Sequence, residues 1–176
     1  MNKKYLLKDI LFFIFLIIIA CSSILPKAVN NLDELWNFNF ARNFANDKLP
    51  YKDFNMVQTP LLSFVAGMIL KVFGTELLVM RILAIILSIS IFFIIYKILM
   101  NLKISRKIIY VFLLALMLLC KNYLCIDYNF AVLFIILLTT FLELKYIEKN
   151  SFKKDFFIGL LVRNIDFNKT NNGNFF

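Results

Sequence analysis

The amino-acid sequence predicts an all-α fold: a polytopic helical membrane protein with about four transmembrane helices and interfacial helices in a large first outer loop. Three observations lead there. Of the 176 residues, 61% are hydrophobic, against roughly 45–50% in a soluble domain, and a water-soluble globule cannot bury that much apolar surface. The apolar residues are gathered in uncharged stretches such as Ile10 to Pro26 and Ile108 to Cys120, and lipid admits only segments that satisfy their own backbone. Lys and Arg collect in the links between these stretches, so the net charge of +9 reports topology and not a nucleic-acid-binding face.

The first element follows Lys3, Lys4 and Lys8 and runs to Pro26. A signal peptide shares this order of charge and then apolar residues. Its apolar region, however, is usually about 7–15 residues long. The run here is longer and Cys21-Ser22-Ser23 is a poor cleavage site, so a retained first span over residues 9–27 is expected. A second span is expected over 77–97, with Arg81 near its start, where a guanidinium snorkels to the headgroups. At the bilayer centre that arginine would cost roughly 2.5–3.5 kcal/mol. A third span over 107–126 requires Lys121 to sit at the interface, and a fourth over 128–145 closes with Glu143 and Lys145.

Basic residues alternate between the two ends of these spans. One end collects Lys3, Lys4 and Lys8, then Lys97, Lys103, Arg106 and Lys107, then Lys145, Lys149, Lys153 and Lys154. At the other end Lys27, Arg42, Lys48, Lys52 and Lys71 are balanced by Asp33, Glu34, Asp47, Asp53 and Glu76. The positive-inside rule then places the amino terminus in the cytoplasm of a multi-pass cell-membrane protein and the loop over residues 27–76 outside.

A loop of that length without a task is uncommon. Leu32, Leu35, Trp36, Phe40 and Phe44 share one helical face, the pattern of an amphipathic helix lying in the membrane interface. Asn46-Asp47 and Leu49-Pro50 end it. Pro60 opens a second apolar stretch to Leu70 that closes at Lys71 and Gly74, too short to span and therefore interfacial or re-entrant.

The sequence has no His, which removes His-ligated zinc and Ser-His-Asp or Cys-His catalysis and leaves carboxylates to carry any chemistry. Cys21, Cys120 and Cys125 lack CxxC spacing and read as buried small hydrophobes. Two acidic positions fall on the outer side: Asp33-Glu34 after the first span and Asp127 at the outer end of the third. A partly desolvated carboxylate there can take a proton from an attacking hydroxyl or hold a divalent cation. The plainer reading makes Asp33 and Glu34 first-turn acids favoured by the helix dipole and Asp127 a loop charge balancing Lys121.

The order Asp33-Glu34, Ala41-Arg42-Asn43, Leu49-Pro50-Tyr51-Lys52-Asp53-Phe54, Thr59-Pro60-Leu61, Val72-Phe73-Gly74, Met80-Arg81-Ile82-Leu83 and Ile126-Asp127-Tyr128 resembles the amino-terminal part of the GT-C glycosyltransferases. Within them it is most similar to bacterial relatives of the polyprenyl- and dolichyl-phosphate-mannose protein mannosyltransferases and to the aminoarabinose transferases. The resemblance implies that Asp33, with Glu34 beside it, serves as general base or metal ligand for an acceptor hydroxyl, and that Asp127 shapes the acceptor and donor-phosphate site. It implies a polyprenyl-phosphate-linked sugar donor and a protein, lipid or glycan acceptor. Arg42, Lys52 and Arg81 are the cations implied for the donor phosphate. Gln58-Thr59-Pro60 departs from the acidic-Lys-Pro-Pro version of the aminoarabinose transferases, so the resemblance fixes no metal.

Residues 156–176 begin like the family's fifth helix at Ile158-Gly159-Leu160-Leu161, but Arg163, Asn164, Asp166 and Asn168 interrupt it. Because family members continue into further helices, the chain is expected to be a truncated amino-terminal module, inactive by itself. The alternative is a small non-enzymatic membrane protein or subunit. A transporter ranks below both, since intramembrane charges and paired broken helices are lacking.

Overall fold

A computed structural model describes residues 3–29, 32–56, 60–146, 156 and 158–160. Among the described residues up to 146, six helices follow one another: α1 (Lys3–Ile24), α2 (Leu32–Ala45), α3 (Pro60–Phe73), α4 (Leu77–Asn101), α5 (Arg106–Cys120) and α6 (Tyr128–Tyr146). Apart from an isolated bridge between Pro50 and Phe54, the described residues contain no strand pairing, and the protein is an all-α membrane protein.

Length separates the helices into two kinds. At 1.5 Å per residue, α1, α4 and α6, with 22, 25 and 19 residues, reach about 33, 37 and 28 Å, close to or beyond the roughly 30 Å hydrocarbon core. These three are long and apolar enough to cross a membrane. The expected third span is shorter than the sequence suggests. α5 has 15 residues and stops at Cys120, about 22 Å from its start. The chain then turns, with the Tyr123 amide donating to the Cys120 carbonyl. Its connection to Asp127 is non-helical, exposed at Asn122 and Tyr123 and then buried at Leu124, Cys125 and Ile126.

α4 is the hub and touches α1, α3, α5 and α6. The surrounding helices each offer it a narrow stripe: Leu16, Ala20 and Ile24 on α1, and Ile109, Leu113 and Met117 on α5, all at i, i+4, i+8. Their other faces carry exposed Ile, Leu and Val such as Ile10, Ile18, Val111 and Leu119, which suits helices whose solvent is lipid. On α4 the serine hydroxyls bond back to their own backbone, Ser88 Oγ to the Ala84 carbonyl at 2.7 Å and Ser90 Oγ to that of Ile86 at 2.7 Å, so these two leave no unmet donor in the apolar layer.

α2 and α3 form a hairpin against α4. Its closure explains the Leu49–Phe54 segment: the Leu49 amide donates to the Asp53 carboxylate at 2.8 Å and the Tyr51 amide to the Phe54 carbonyl at 2.9 Å. Phe54 then lies against Phe40 and Phe44. The two helices meet through small faces, Glu34, Asn37, Ala41 and Ala45 against Ser63, Ala66, Gly67 and Leu70. A Cβ on Gly67 would stand 2.5 Å from the Phe44 Cβ and 2.8 Å from the Ala41 carbonyl oxygen, so only glycine permits this approach. The apolar face expected on α2 divides: Leu32 and Trp36 are exposed, while Phe40 and Phe44 are half-buried against Phe54 and Phe64. α3 ends as its sequence suggests, at Gly74 with φ of 105° and its amide donating to the Leu70 carbonyl.

Candidate functional site

Two polar clusters lie at opposite ends of the bundle. At one end Asp9 of α1 accepts hydrogen bonds from Arg106 and Tyr110 of α5. At the other, the end of α1, the starts of α2, α4 and α6, and the link after α5 converge. Lys27 Nζ donates to the Asn122 carbonyl at 2.8 Å, joining the link after α1 to the link after α5. The alternation follows from up-and-down helices joined by short links, and it brings Asp33, Glu34 and Asp127 to the same end.

Arg81 departs from the expected snorkelling residue. It is buried, and its Nε donates to Glu34 Oε1 at 2.9 Å and its Nη2 to Oε2 at 3.4 Å, while Nη1 donates to the Leu25 carbonyl at 2.9 Å. The reason is geometric: Arg81 lies in the first turns of α4 on the face that meets α1 and α3, so its fork reaches protein acceptors instead of headgroups. Glu34 likewise is no solvated first-turn acid. The pair fastens the start of α2 to α4, and both side chains are engaged in that fastening.

Asp33 is exposed on the first turn of α2, and its carbonyl accepts a hydrogen bond from Asn37 Nδ2 at 2.8 Å. Asp127 is buried at 6% exposure, not a solvated loop charge. One carboxylate oxygen, Oδ2, accepts from Asn129 Nδ2 at 2.8 Å; the other, Oδ1, is buried with no hydrogen-bond partner among the described residues. A buried carboxylate oxygen without a donor is costly to leave unmet, and Asn37 Oδ1, one turn along α2 from Asp33, is likewise buried without a partner among the described residues. Cys125, two residues earlier, has its thiol pushed up to about 11, first by burial and then by the negative charge of Asp127, with Lys27 opposing and Glu34 and Asp33 adding smaller pushes in the same direction. The Lys27–Asn122 bond and the Arg81 contacts to Glu34 and the Leu25 carbonyl bring Lys27, Glu34 and the link that leads to Asp127 to this end, with Asp33 next to Glu34 on α2.

Of the remaining cations, Arg42 and Lys52 are exposed, on the last turn of α2 and in the hairpin turn. Sequence position does not single out Lys27, because a lysine after a span reads as topology. Only its bond to Asn122 reveals that it stands in the cluster. Beside the site, α3, α4 and α6 enclose an apolar groove of about 230 Å³ lined by Leu62, Ile69, Leu83, Leu87 and Ile126 among others. Among the described residues no three His, Cys, Asp or Glu side chains are grouped to hold a metal ion. Residues 147–155 and most of the expected fifth helix and polar tail lie outside the described residues.

No protein-family model, curated protein or solved structure matches the chain.

Proposed function

We propose that this chain is the amino-terminal membrane module of a polyprenyl-phosphate-sugar-dependent glycosyltransferase, with Asp33 and Asp127 at an outward-facing site and the amino terminus in the cytoplasm of a cell membrane. The single observation that supports the reading best is the gathering of Asp33, Asp127 and Lys27 at one end of the bundle, with a buried Asp127 oxygen that lacks a donor among the described residues. In this reading Asp33 takes the proton of an acceptor hydroxyl as its oxygen attacks the anomeric carbon. The bond from that carbon to the phosphate oxygen breaks, and the lipid phosphate leaves with the electron pair. Lys27 has no carboxylate ion pair among the described residues and is bonded into the link before Asp127, and it would offset the phosphate charge. Asp127 Oδ1 would accept a hydroxyl of sugar or acceptor. Arg81 takes no part in phosphate binding here, since its donors are committed to Glu34 and Leu25.

A second reading, a non-enzymatic subunit, is favoured by α6, which is the least covered of the three long helices and leaves a face for a lateral partner. One titration separates the two. Trp36 is the sole tryptophan and lies one turn from Asp33, so its fluorescence in lipid nanodiscs reports on the site. A polyprenyl-phosphate hexose should give a saturable change that polyprenol does not, and Lys27→Gln should weaken it. An identical response to polyprenol, or none to either, overturns the glycosyltransferase reading.

A further inference from the structure

We infer that the protein holds one anionic phospholipid of the cytoplasmic leaflet in the groove between α1, α4 and α6, with the lipid phosphate on Lys97. The groove has a volume of about 850 Å³ and walls of Ile14, Ile17, Phe93, Phe134 and Phe141 among others, within the roughly 300–1,000 Å³ of a small-molecule site. Along α4 it runs from Ile89 to Asn101, about 18 Å at 1.5 Å per residue. That is a little over half of the roughly 30 Å hydrocarbon core, the depth of one leaflet. Its occupant is thus an acyl chain that enters from the Asn101 end and stops near mid-membrane.

Charge selects the headgroup. The polar end of the groove presents Asp9, Arg106, Tyr96 and Lys97. Asp9 and Arg106 neutralise each other in an ion pair. Lys97 is not in an ion pair with any described carboxylate, and its ammonium lies over the Phe93 ring, 5.1 Å from the centroid. The charged residues lining the groove therefore sum to one positive charge, held against its own aromatic wall, and the Lys145 ammonium lies over the Phe141 wall 5.8 Å from its centroid, adding to the positive character of this end. Basic pockets between helices at the cytoplasmic side are suited to anionic headgroups, and one lysine near the surface is worth about 1 kcal/mol, roughly a fivefold preference.

This inference rests on the orientation given under the proposed function. The test is native mass spectrometry of the full chain released from detergent with equal phosphatidylglycerol and phosphatidylcholine. The expected result is one retained lipid per chain, phosphatidylglycerol favoured about fivefold. Lys97→Gln should abolish the preference and Lys97→Arg should keep it. Lys103→Gln, at the same end but outside the groove, should leave it unchanged. Ile14→Trp, which fills the groove from an exposed wall, should reduce retention of both lipids. Equal retention of the two lipids by the unsubstituted chain overturns the inference, as does a loss from Lys103→Gln equal to that from Lys97→Gln. Should accessibility labelling place Lys97 outside, the leaflet assignment falls while retention persists; should retention fail, the orientation stands.

Discussion

Breaking the Glu34–Arg81 pair should destabilise the protein more than any other single polar change at the Asp33 and Asp127 end of the bundle. The two side chains are 3% and 9% exposed, and the guanidinium reaches both carboxylate oxygens. Removing one partner of such a buried pair leaves an uncompensated charge and costs about 3–5 kcal/mol. Glu34→Gln and Arg81→Met should each fall in that range. Arg81→Met should sit toward its upper end because the Leu25 carbonyl also loses a donor. The double variant Glu34→Leu/Arg81→Met should recover most of the loss, since a buried ion pair exchanged for apolar side chains of similar volume is often neutral or better. The assay is unfolding by dodecyl sulfate titrated into mixed micelles and followed by far-ultraviolet circular dichroism, with the two single variants and the double variant closing a cycle. Losses below about 1 kcal/mol for both single variants, the size of a solvated surface pair, would refute the reasoning.

Gly67→Ala should lose about 1–3 kcal/mol through overpacking against Phe44 and Ala41, whereas Gly159→Ala, with nothing within 4 Å of its new methyl, should be neutral or gain up to about 1 kcal/mol from helix propensity; thermal unfolding in detergent compares them. The Cys125 thiol, raised to about 11 by burial and then by Asp127, should resist N-ethylmaleimide at pH 8. Its labelling rate should climb as pH approaches 11, and Asp127→Asn should speed it by removing the charge that opposes the thiolate. Since an unfolded thiol ionises near pH 8.5, the folded state binds the extra proton between there and about 11, and stability should fall with rising pH across that window. In a chain with its native cysteines replaced, Asn46→Cys should react with an impermeant maleimide only from outside the cell. Reaction only from the cytoplasm would reverse the orientation.

Much of the architecture was legible because the lipid-crossing helices are written as uncharged runs whose ends carry Lys, Pro or Gly. Pro60 and Gly74 bracketed α3 closely. The end of α5 was not legible: Leu124, Cys125 and Ile126 are apolar whether they continue a helix or fold inward as a buried turn, and hydropathy cannot distinguish the two. Nor was the buried face of α2. Hydrophobicity put Leu32 and Trp36 toward the membrane interface, and both are exposed, but it did not mark the opposite face, where close helix contact in lipid rewards small residues and Ala41 and Ala45 pack inward near Gly67. At the candidate site the sequence located the acids but not their states. Arg81 and Glu34 are separated by 47 positions, and no local pattern announces that one neutralises the other.

The central claim, that Asp33, Asp127 and Lys27 bound a site for a sugar carried on polyprenyl phosphate, is tested most directly by photo-crosslinking. A polyprenyl-phosphate hexose with a photoreactive group on the sugar is incorporated with the chain into nanodiscs, irradiated, and the adducts are mapped by peptide mass spectrometry. The expected adducts fall within residues 27–37 and 121–129 and disappear in competition with unlabelled donor. Adducts spread along the lipid-facing helices, or concentrated at the Lys103 and Arg106 end, would contradict it.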